Sequence, residues 1–289
     1  MFDLSIIILS YKSKKDLERL LPSVYASRTG FAYEVVVVDN GSGDGTADWM
    51  ETQAKNTEYK NLKLIRNQNT GFAHGNNLGI TQASGRYILL LNPDTKIEPD
   101  TLEVMLKFME ENPQVGIAGC KVVKPDGSLD LASRRRFPNP WNAFARLFLR
   151  SNKSYNMTDT DEDLTQEVDS VMGAFLLIRR TVMEKIGLLD ERFFMYGEDI
   201  DWCWRCKEAG FKVWYYPKTS ITHYKGSSSK KTPFKALAWF HEAMWLFYEK
   251  HYSRRYPFFM NWLVWCGIRL RLSLLVLLNL FKKERVVSK

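Results

Sequence analysis

The chain has 289 residues and a formal net charge of +8. That length suits one large α/β domain with appendages and a sizeable core. A positive surplus fits nucleic acid, anionic lipid or phosphorylated small molecules. The sequence carries no C2H2 spacing, RNP-type aromatic run or basic heptad helix, which argues against nucleic acid. Of the four cysteines, only Cys203 and Cys206 are closely spaced, and they fall in a helical pattern without a second pair. Packing in a reducing cytoplasm is expected of them rather than zinc or redox chemistry. The chain enters a strand at once, without the basic and hydrophobic run of a secretory signal.

Residues 4–9 form a continuous apolar run, as a buried parallel strand does. Residues 14–27 carry Leu17, Leu20, Leu21 and Val24 at helical spacing. A second buried strand is expected at 34–38 and a helix at 46–54 after a Gly-rich turn. A strand at 62–65, a helix at 75–83 and a strand at 87–91 follow. A helix over 99–111, with Pro99 in its first turn, leads to a strand at 115–120. Alternating strands and helices predict a doubly wound, mostly parallel sheet. Residues 126–168, with the run Arg134-Arg135-Arg136 and a polar stretch from 151 to 166, read as a loop excursion. A strand at 171–178, helices at 181–186 and 199–209 and a strand at 212–216 complete the pattern. An aromatic-rich helix over 234–251 precedes an apolar tail.

Three polar clusters follow predicted strands: Ser10-Tyr11, Asp39-Asn40-Gly41-Ser42 and Asn92-Pro93-Asp94. Ligands of open α/β sheets bind outside the carboxyl ends of the strands, so the three are expected on one rim. The run Gly41-Ser42-Gly43-Asp44-Gly45-Thr46 lacks G-x-G-x-x-G spacing, which disfavours a dinucleotide; a plain Gly-rich turn is the alternative. A carboxylate at Asp39 can accept a hydrogen bond from a base N–H. Asp94 suits Mg²⁺ or Mn²⁺, which take oxygen ligands and bridge to phosphates, against the alternative of an Asx-type turn. In Tyr196-Gly197-Glu198-Asp199-Ile200-Asp201, three acids open a helix. The helix dipole favours them, and one is expected to cap. Their mutual repulsion should raise at least one pKa, which suits proton removal from a hydroxyl. His223, followed by Gly226-Ser227-Ser228-Ser229, is a candidate for a metal or phosphate role.

With these motifs in place, the chain resembles the family 2 glycosyltransferases of GT-A fold, most of all their bacterial rhamnosyltransferase-type members. The resemblance covers about residues 3–230. It rests on Ser5-Ile6-Ile7-Ile8-Leu9-Ser10-Tyr11, Val37-Val38-Asp39-Asn40-Gly41-Ser42 and Asn69-Thr70-Gly71-Phe72-Ala73-His74-Gly75-Asn76-Asn77. It continues through Leu91-Asn92-Pro93-Asp94, Gly173-Ala174-Phe175 and Tyr196-Gly197-Glu198-Asp199. The resemblance implies a Rossmann-like, mostly parallel sheet flanked by helices. Residues 1–232 would be the catalytic domain, with a nucleotide-binding half to about 120 and an acceptor half beyond it, and 233–289 a membrane-associating helical extension. Ser10, Tyr11, Asp39, Asn40 and Ser42 would line the nucleotide pocket, with Asp39 reading the base. The stretch holding Asn69, Gly71 and Asn77 would form the loop at the donor. Asp94 would take the last acid of the D-x-D element and, with His223, hold Mg²⁺ or Mn²⁺ on the diphosphate. Asn92 departs from that element by replacing its first acid. Asp199 would be the catalytic base, supported by Glu198, in an inverting transfer. The donor implied is a dTDP- or UDP-sugar, dTDP-rhamnose first, and the acceptor a lipid-linked glycan or polysaccharide. A homodimer is left open. The rival functions are a sugar nucleotidyltransferase, whose basic Gly-rich N-terminal signature is missing, and an inactive carbohydrate-binding subunit, against which intact Asp94, Asp199 and His223 argue.

The tail, residues 258–281, holds two charges, Arg269 and Arg271, and is long enough to span a bilayer. Each arginine near the centre would cost roughly 2.5–3.5 kcal/mol. On a helical wheel Asn261, Arg269, Arg271, Ser273 and Asn279 share one arc, which favours a helix lying in the interface over a span. Trp262 and Trp265 suit the headgroup level, and Lys282, Lys283, Arg285 and Lys289 would attract anionic lipid. The expected location is peripheral, at the cytoplasmic face of the membrane; a core helix or oligomer interface is the alternative.

Overall fold

The computed structural model of the protein describes residues 2–139, 142, 153–224 and 233–281. Gly226-Ser227-Ser228-Ser229 and the basic residues after 281 lie outside them. The first half alternates as expected: β1 (Leu4–Ser10), α1 (Lys14–Tyr25), β2 (Tyr33–Asn40), α2 (Thr46–Ala54), β3 (Leu62–Asn67), α3 (Phe72–Thr81) and β4 (Tyr87–Leu91). A short β5 (Thr95–Ile97), α4 (Thr101–Glu111) and β6 (Val115–Val123) follow. The expected excursion contains β7 (Arg134–Arg135), α5 (Lys153–Asn156) and β8 (Gln166–Glu167). Then come β9 (Ser170–Val171), β10 (Phe175–Arg179), α6 (Arg180–Ile186), α7 (Glu198–Glu208) and β11 (Lys212–His223). Two long helices, α8 (Pro233–His251) and α9 (Phe258–Leu280), close the described chain.

The main sheet runs β3-β2-β1-β4-β10-β6-β11-β5, with β8 alongside β11. β1 is parallel to β2 and β4, β2 to β3, and β6 to β11. β10 is inserted antiparallel between β4 and β6, and β5 is antiparallel to the end of β11. The sheet is therefore mixed, mostly parallel. The expected strand at 171–178 is two: β9 pairs with β7 in a separate small sheet, and the chain turns at Met172–Ala174 before β10. An apolar run marks burial but not strand direction, so β10 read like its parallel neighbours. β11 extends to His223, past Pro217, where the register with β6 shifts between Tyr216 and Ser220. Proline cannot donate to the ladder, which is why the expected strand stopped early.

Both faces of the sheet are covered. Ile6, Ile8, Val35, Val37, Leu89 and Leu91 pack beneath α1 and α4; Ile7, Val36, Ile88 and Leu90 face α3, α6 and α7. This period of two through uninterrupted apolar runs is what a doubly covered strand requires. Each fully buried aliphatic side chain contributes about 1.5–3 kcal/mol. Cys203 and Cys206 sit in the second of these layers, where burial pushes the Cys206 thiol up to about 12 and the Cys203 thiol up as well. A third cluster, with Phe193, Ile200, Trp204, Ala243 and Phe247, joins α8 to α7.

Candidate active site

The parallel strands β2, β1 and β4 end side by side. Ser10 is paired in register with Asp39, and Ile7 with Leu90 three residues earlier. Ser10, Asp39 and the turn after Leu91 therefore stand on one rim. Ser10 Oγ is buried with no hydrogen-bond partner among the described residues. Asp39, 4% exposed, accepts from the Ser42 N–H at 3.1 Å and from the Ser42 hydroxyl. Ser42 Oγ in turn accepts from the Lys12 N–H at 2.8 Å, tying the β1 and β2 turns together and leaving Tyr11 beside them.

Asn40 organises the next loop. Its amide donates to the Gly71 carbonyl at 3.2 Å and to Asn69 Oδ1 at 3.3 Å, and its carbonyl accepts from Asn67 at 3.0 Å. Gly71 has φ +95°, and a Cβ there would lie 2.7 Å from the Phe194 carbonyl. Only glycine permits this approach, through which the Phe72 N–H reaches the same carbonyl at 2.6 Å. Asn77 is buried and holds Leu189 through both its backbone groups, at 3.1 and 2.9 Å, and Glu191 at 2.9 Å. Asn40, Asn69 and Asn77 thus bind protein segments to one another and shape the loop.

The β4 turn joins this rim to the second half of the chain. The Asn92 N–H donates to the Ala174 carbonyl at 3.1 Å, and its carbonyl accepts from Thr95 Oγ1. The next residue upstream, Gly173, donates its N–H to Asp199 Oδ2 at 3.0 Å. A continuous chain of contacts therefore runs from Asp39 through Ser10, β4 and Gly173 to the start of α7.

At that start, the N-cap is Gly197 at φ 85°, with no side-chain cap. The expectation that one of the three acids is the cap is corrected, since the cap position is Gly197, although Asp199 still accepts from one N–H of the first turn. Asp199 accepts from Arg135 at 2.7 Å, from Gly173 and from the Ile200 N–H at 2.8 Å. Burial opposes the charge of Arg135, but Asp199 outweighs it and the guanidinium pKa is raised. Glu198 is 6% exposed and its Oε2 has no partner among the described residues. Burial, reinforced by the charge of Asp199, raises its pKa to about 8. It therefore holds its proton at neutral pH beside a carboxylate paired to Arg135. Asp201 leaves the rim altogether. It is fully buried and binds Arg205 at 2.9 Å, Lys250 at 2.7 Å and His251 at 2.8 Å, anchoring α8 to α7.

β11 ends at His223, opposite Thr95. Its Nε2 lies 3.2 Å from Asp94 Oδ1 and its Nδ1 3.5 Å from Asp130 Oδ2. Burial works against the charged ring, but the two acids prevail and raise its pKa to about 9. At neutral pH His223 is an imidazolium between two carboxylates. Among the described residues no group of three or more His, Cys, Asp or Glu side chains could hold a metal. The donors do fit a sparser site: a hard cation takes one or two carboxylates and completes its shell with phosphate oxygens. Asp94 supplies such a carboxylate. His223 would have to lose its proton to join it, with Asp130 then orienting the ring.

Arg135 and Asp130 escaped sequence reasoning. The Arg134-Arg135-Arg136 run was visible, but no periodicity in a loop tells which arginine turns inward. Arg134 goes to the carbonyls of Thr160 and Asp161, Arg135 to Asp199, and Arg136 to the Ser154 carbonyl.

The family model for glycosyl transferase family 2 matches residues 5–187, which span β1 through α6. The chain belongs to this family. Among curated members it is similar to the N-acetylglucosaminyl-diphospho-decaprenol L-rhamnosyltransferase of Mycobacterium tuberculosis, 27% identical over 98% of this chain and 95% of that protein. It is also similar to the rhamnosyltransferase WbbL of Escherichia coli K12, 28% identical over 81% of this chain and 88% of the relative. The fold is shared with Staphylococcus aureus TarS 1-349 in complex with UDP-GlcNAc (TM-score 0.57, 19% identity, 93% of this chain and 72% of that one). It is shared too with the mannosyltransferase PcManGT of Pyrobaculum calidifontis in complex with GDP-Man and Mn²⁺ (TM-score 0.61, 16% identity, 94% and 70%). The family 2 chain described here is thus a glycosyltransferase of GT-A-like fold, with an apolar helix at its C-terminal end.

Proposed function

We propose that the protein transfers a sugar, with inversion, from a nucleoside diphosphate donor to a lipid-linked glycan acceptor at the cytoplasmic face of a membrane. The observation that carries this is the single rim on which Asp39, the β4 turn before Asp94, and Asp199 follow one another. The rhamnosyltransferase relatives favour rhamnose, and so dTDP-rhamnose as donor. The diphospho-decaprenol in the mycobacterial relative's name favours a polyprenyl diphosphate acceptor.

Asp39 accepts a base N–H while Ser42 holds its carboxylate in place; Ser10, Tyr11 and Asn40 line the pocket with it. Asn69, Gly71 and Asn77 set the loop over the donor, and Asn92 the turn that presents Asp94. Mg²⁺ or Mn²⁺, held by Asp94 and by His223 once deprotonated, would supply positive charge to the departing diphosphate. Asp199, fixed by Arg135 and the Gly173 N–H, takes the proton of the acceptor hydroxyl. The hydroxyl oxygen bonds to the anomeric carbon from the face opposite the leaving group. The bond to the diphosphate breaks, and its electron pair leaves on the nucleoside diphosphate. Glu198, neutral beside Asp199, donates a hydrogen bond to the acceptor.

The test is a panel of nucleotide sugars with the full-length protein in detergent, with and without Mn²⁺, read by thermal shift and by nucleoside diphosphate release. Stabilisation by a dTDP- or UDP-sugar and release on adding acceptor are expected. No response to any nucleotide sugar would end the transferase proposal.

A further inference from the structure

A cavity opens between the segment preceding Glu198 and one flank of α8. Arg192, Phe194, Trp239, Glu242 and Leu246 line it. The Phe194 and Trp239 rings stand 4.5 Å apart and 32° from parallel. We propose that this cavity binds the terminal sugar ring of the acceptor. This rests on the transferase function proposed above and names the second substrate's seat.

The chemistry favours a neutral polyol over a phosphate. Arg192 is already matched by Asp190, which it meets at 2.6 Å. Glu242 is exposed and pairs with none of the described residues, so the charge left over in the cavity is negative. A diphosphate would be repelled; sugar hydroxyls can donate to that carboxylate. Phe194 and Trp239 pack on each other and are half-buried, and the apolar ring surface they leave on the lining suits the C–H side of a pyranose.

Position favours the acceptor rather than the donor. The Phe194 carbonyl, on the cavity wall, accepts from the Phe72 N–H of the donor loop, and four residues on stands Glu198. The opposite wall is α8, whose other flank meets α9: Arg271 donates to His241 at 2.9 Å and the Tyr248 hydroxyl to Asn261 at 2.8 Å. α9 turns Phe258, Trp262, Leu270, Leu274 and Leu277 to solvent. An acceptor with a lipid tail must bridge that apolar helix and the reacting carboxylates, and the cavity is walled by the segment that leads into Glu198 and by the helix that carries α9.

The experiment uses full-length protein in detergent and a short-chain N-acetylglucosaminyl diphospholipid as probe, with nucleoside diphosphate release as readout. Trp239→Ala is expected to raise the probe's KM about ten-fold while donor KM and slow donor hydrolysis stay at wild-type values. Trp239→Phe, which keeps a ring, is expected to stay within about three-fold. Glu242→Gln is expected to raise probe KM about five-fold. A folded Trp239→Ala with unchanged probe KM overturns the proposal. If that variant fails to fold, an unchanged probe KM in Glu242→Gln overturns it instead. Hydrolysis of donor by a wild-type protein that ignores the probe also overturns it. Absence of donor binding and hydrolysis altogether would instead sink the transferase function.

Discussion

The Arg135 guanidinium lies 2.7 Å from Asp199 Oδ2, with the two side chains only 10% and 11% exposed. Arg135 also donates to the Val171 carbonyl at 2.7 Å, so its position is fixed from the small β7–β9 sheet. That sheet thereby sets where the Asp199 carboxylate stands. Removing one member of a buried pair leaves the other charge uncompensated, at about 3–5 kcal/mol. Arg135→Ala should lower the urea unfolding midpoint accordingly and abolish transfer. Arg135→Lys keeps the charge without the planar fork, so turnover should fall further than stability does. A wild-type midpoint in Arg135→Ala would show that the pair does not organise the site.

Asp199→Asn tests the proton acceptor directly. The amide keeps an oxygen for the Gly173 N–H but cannot take a proton. Turnover should fall by about 10²–10⁴, while thermal stabilisation by the nucleotide sugar is retained because Asp39 lies at another strand end. Wild-type nucleoside diphosphate release from this variant would remove Asp199 from the mechanism.

In the proposed mechanism Glu198 should give the reaction an alkaline limb. Its pKa is raised to about 8 by burial and by Asp199. Above that pH it ionises, so it would lose the proton proposed for the acceptor and set a second negative charge beside Asp199. The rate should therefore decline above about pH 8, and Glu198→Gln, which cannot ionise, should flatten that limb. Stability follows the same proton. The unfolded chain releases it near the ordinary Glu value of 4.5 and the folded chain near 8. Between those values the folded state binds more protons, so stability falls as pH rises. Glu198→Gln should weaken that slope in unfolding titrations from pH 5 to 8. An unchanged slope and an unchanged rate profile would place the ionisation elsewhere.

The rim was legible because strand ends are: apolar runs such as Ile6–Ile8 and Val35–Val38 declare buried strands, and the polar residue that ends each run must lie at the sheet's edge. Asp39, Asn92 and Asp94 were found by that reasoning alone. What acts across the chain was not. Glu198, Asp199 and Asp201 look alike in sequence, yet Asp201 is spent on Lys250 and His251, fifty residues away. Which acid faces the cleft depends on helical phase at α7, and phase at a helix start is set by Gly197 at φ 85°, not by side-chain type. Arg135 was hidden for a similar reason: it is placed by a two-residue strand too short to show any period.

The helix α9 shows the same limit in a form that changes the membrane argument. Its polar residues were expected to share one arc. Asn261, Arg271 and Asn279 of that arc turn inward, Asn261 to Tyr248 and Arg271 to His241, whose pKa is lowered by burial with Arg271 nearby. The outer face is apolar, with Phe258 82% and Leu270 63% exposed. At 23 residues the helix is long and apolar enough to cross a membrane. Crossing would break its bonds to α8 and bury Arg269 and Arg271, at roughly 2.5–3.5 kcal/mol each. Lying against α8 keeps those bonds and presents a mainly apolar face outward, with Arg269 and Ser273 at its margin, which is the arrangement of an interfacial helix. Full-length protein should therefore float with anionic vesicles and be extracted by alkaline carbonate, as a spanning protein is not. Leu270→Glu combined with Leu274→Glu and Leu277→Glu should abolish flotation while slow donor hydrolysis in detergent stays at wild-type values. Resistance to carbonate would mean that α9 leaves α8 and spans; flotation by the triple variant would mean that another surface holds the protein to lipid.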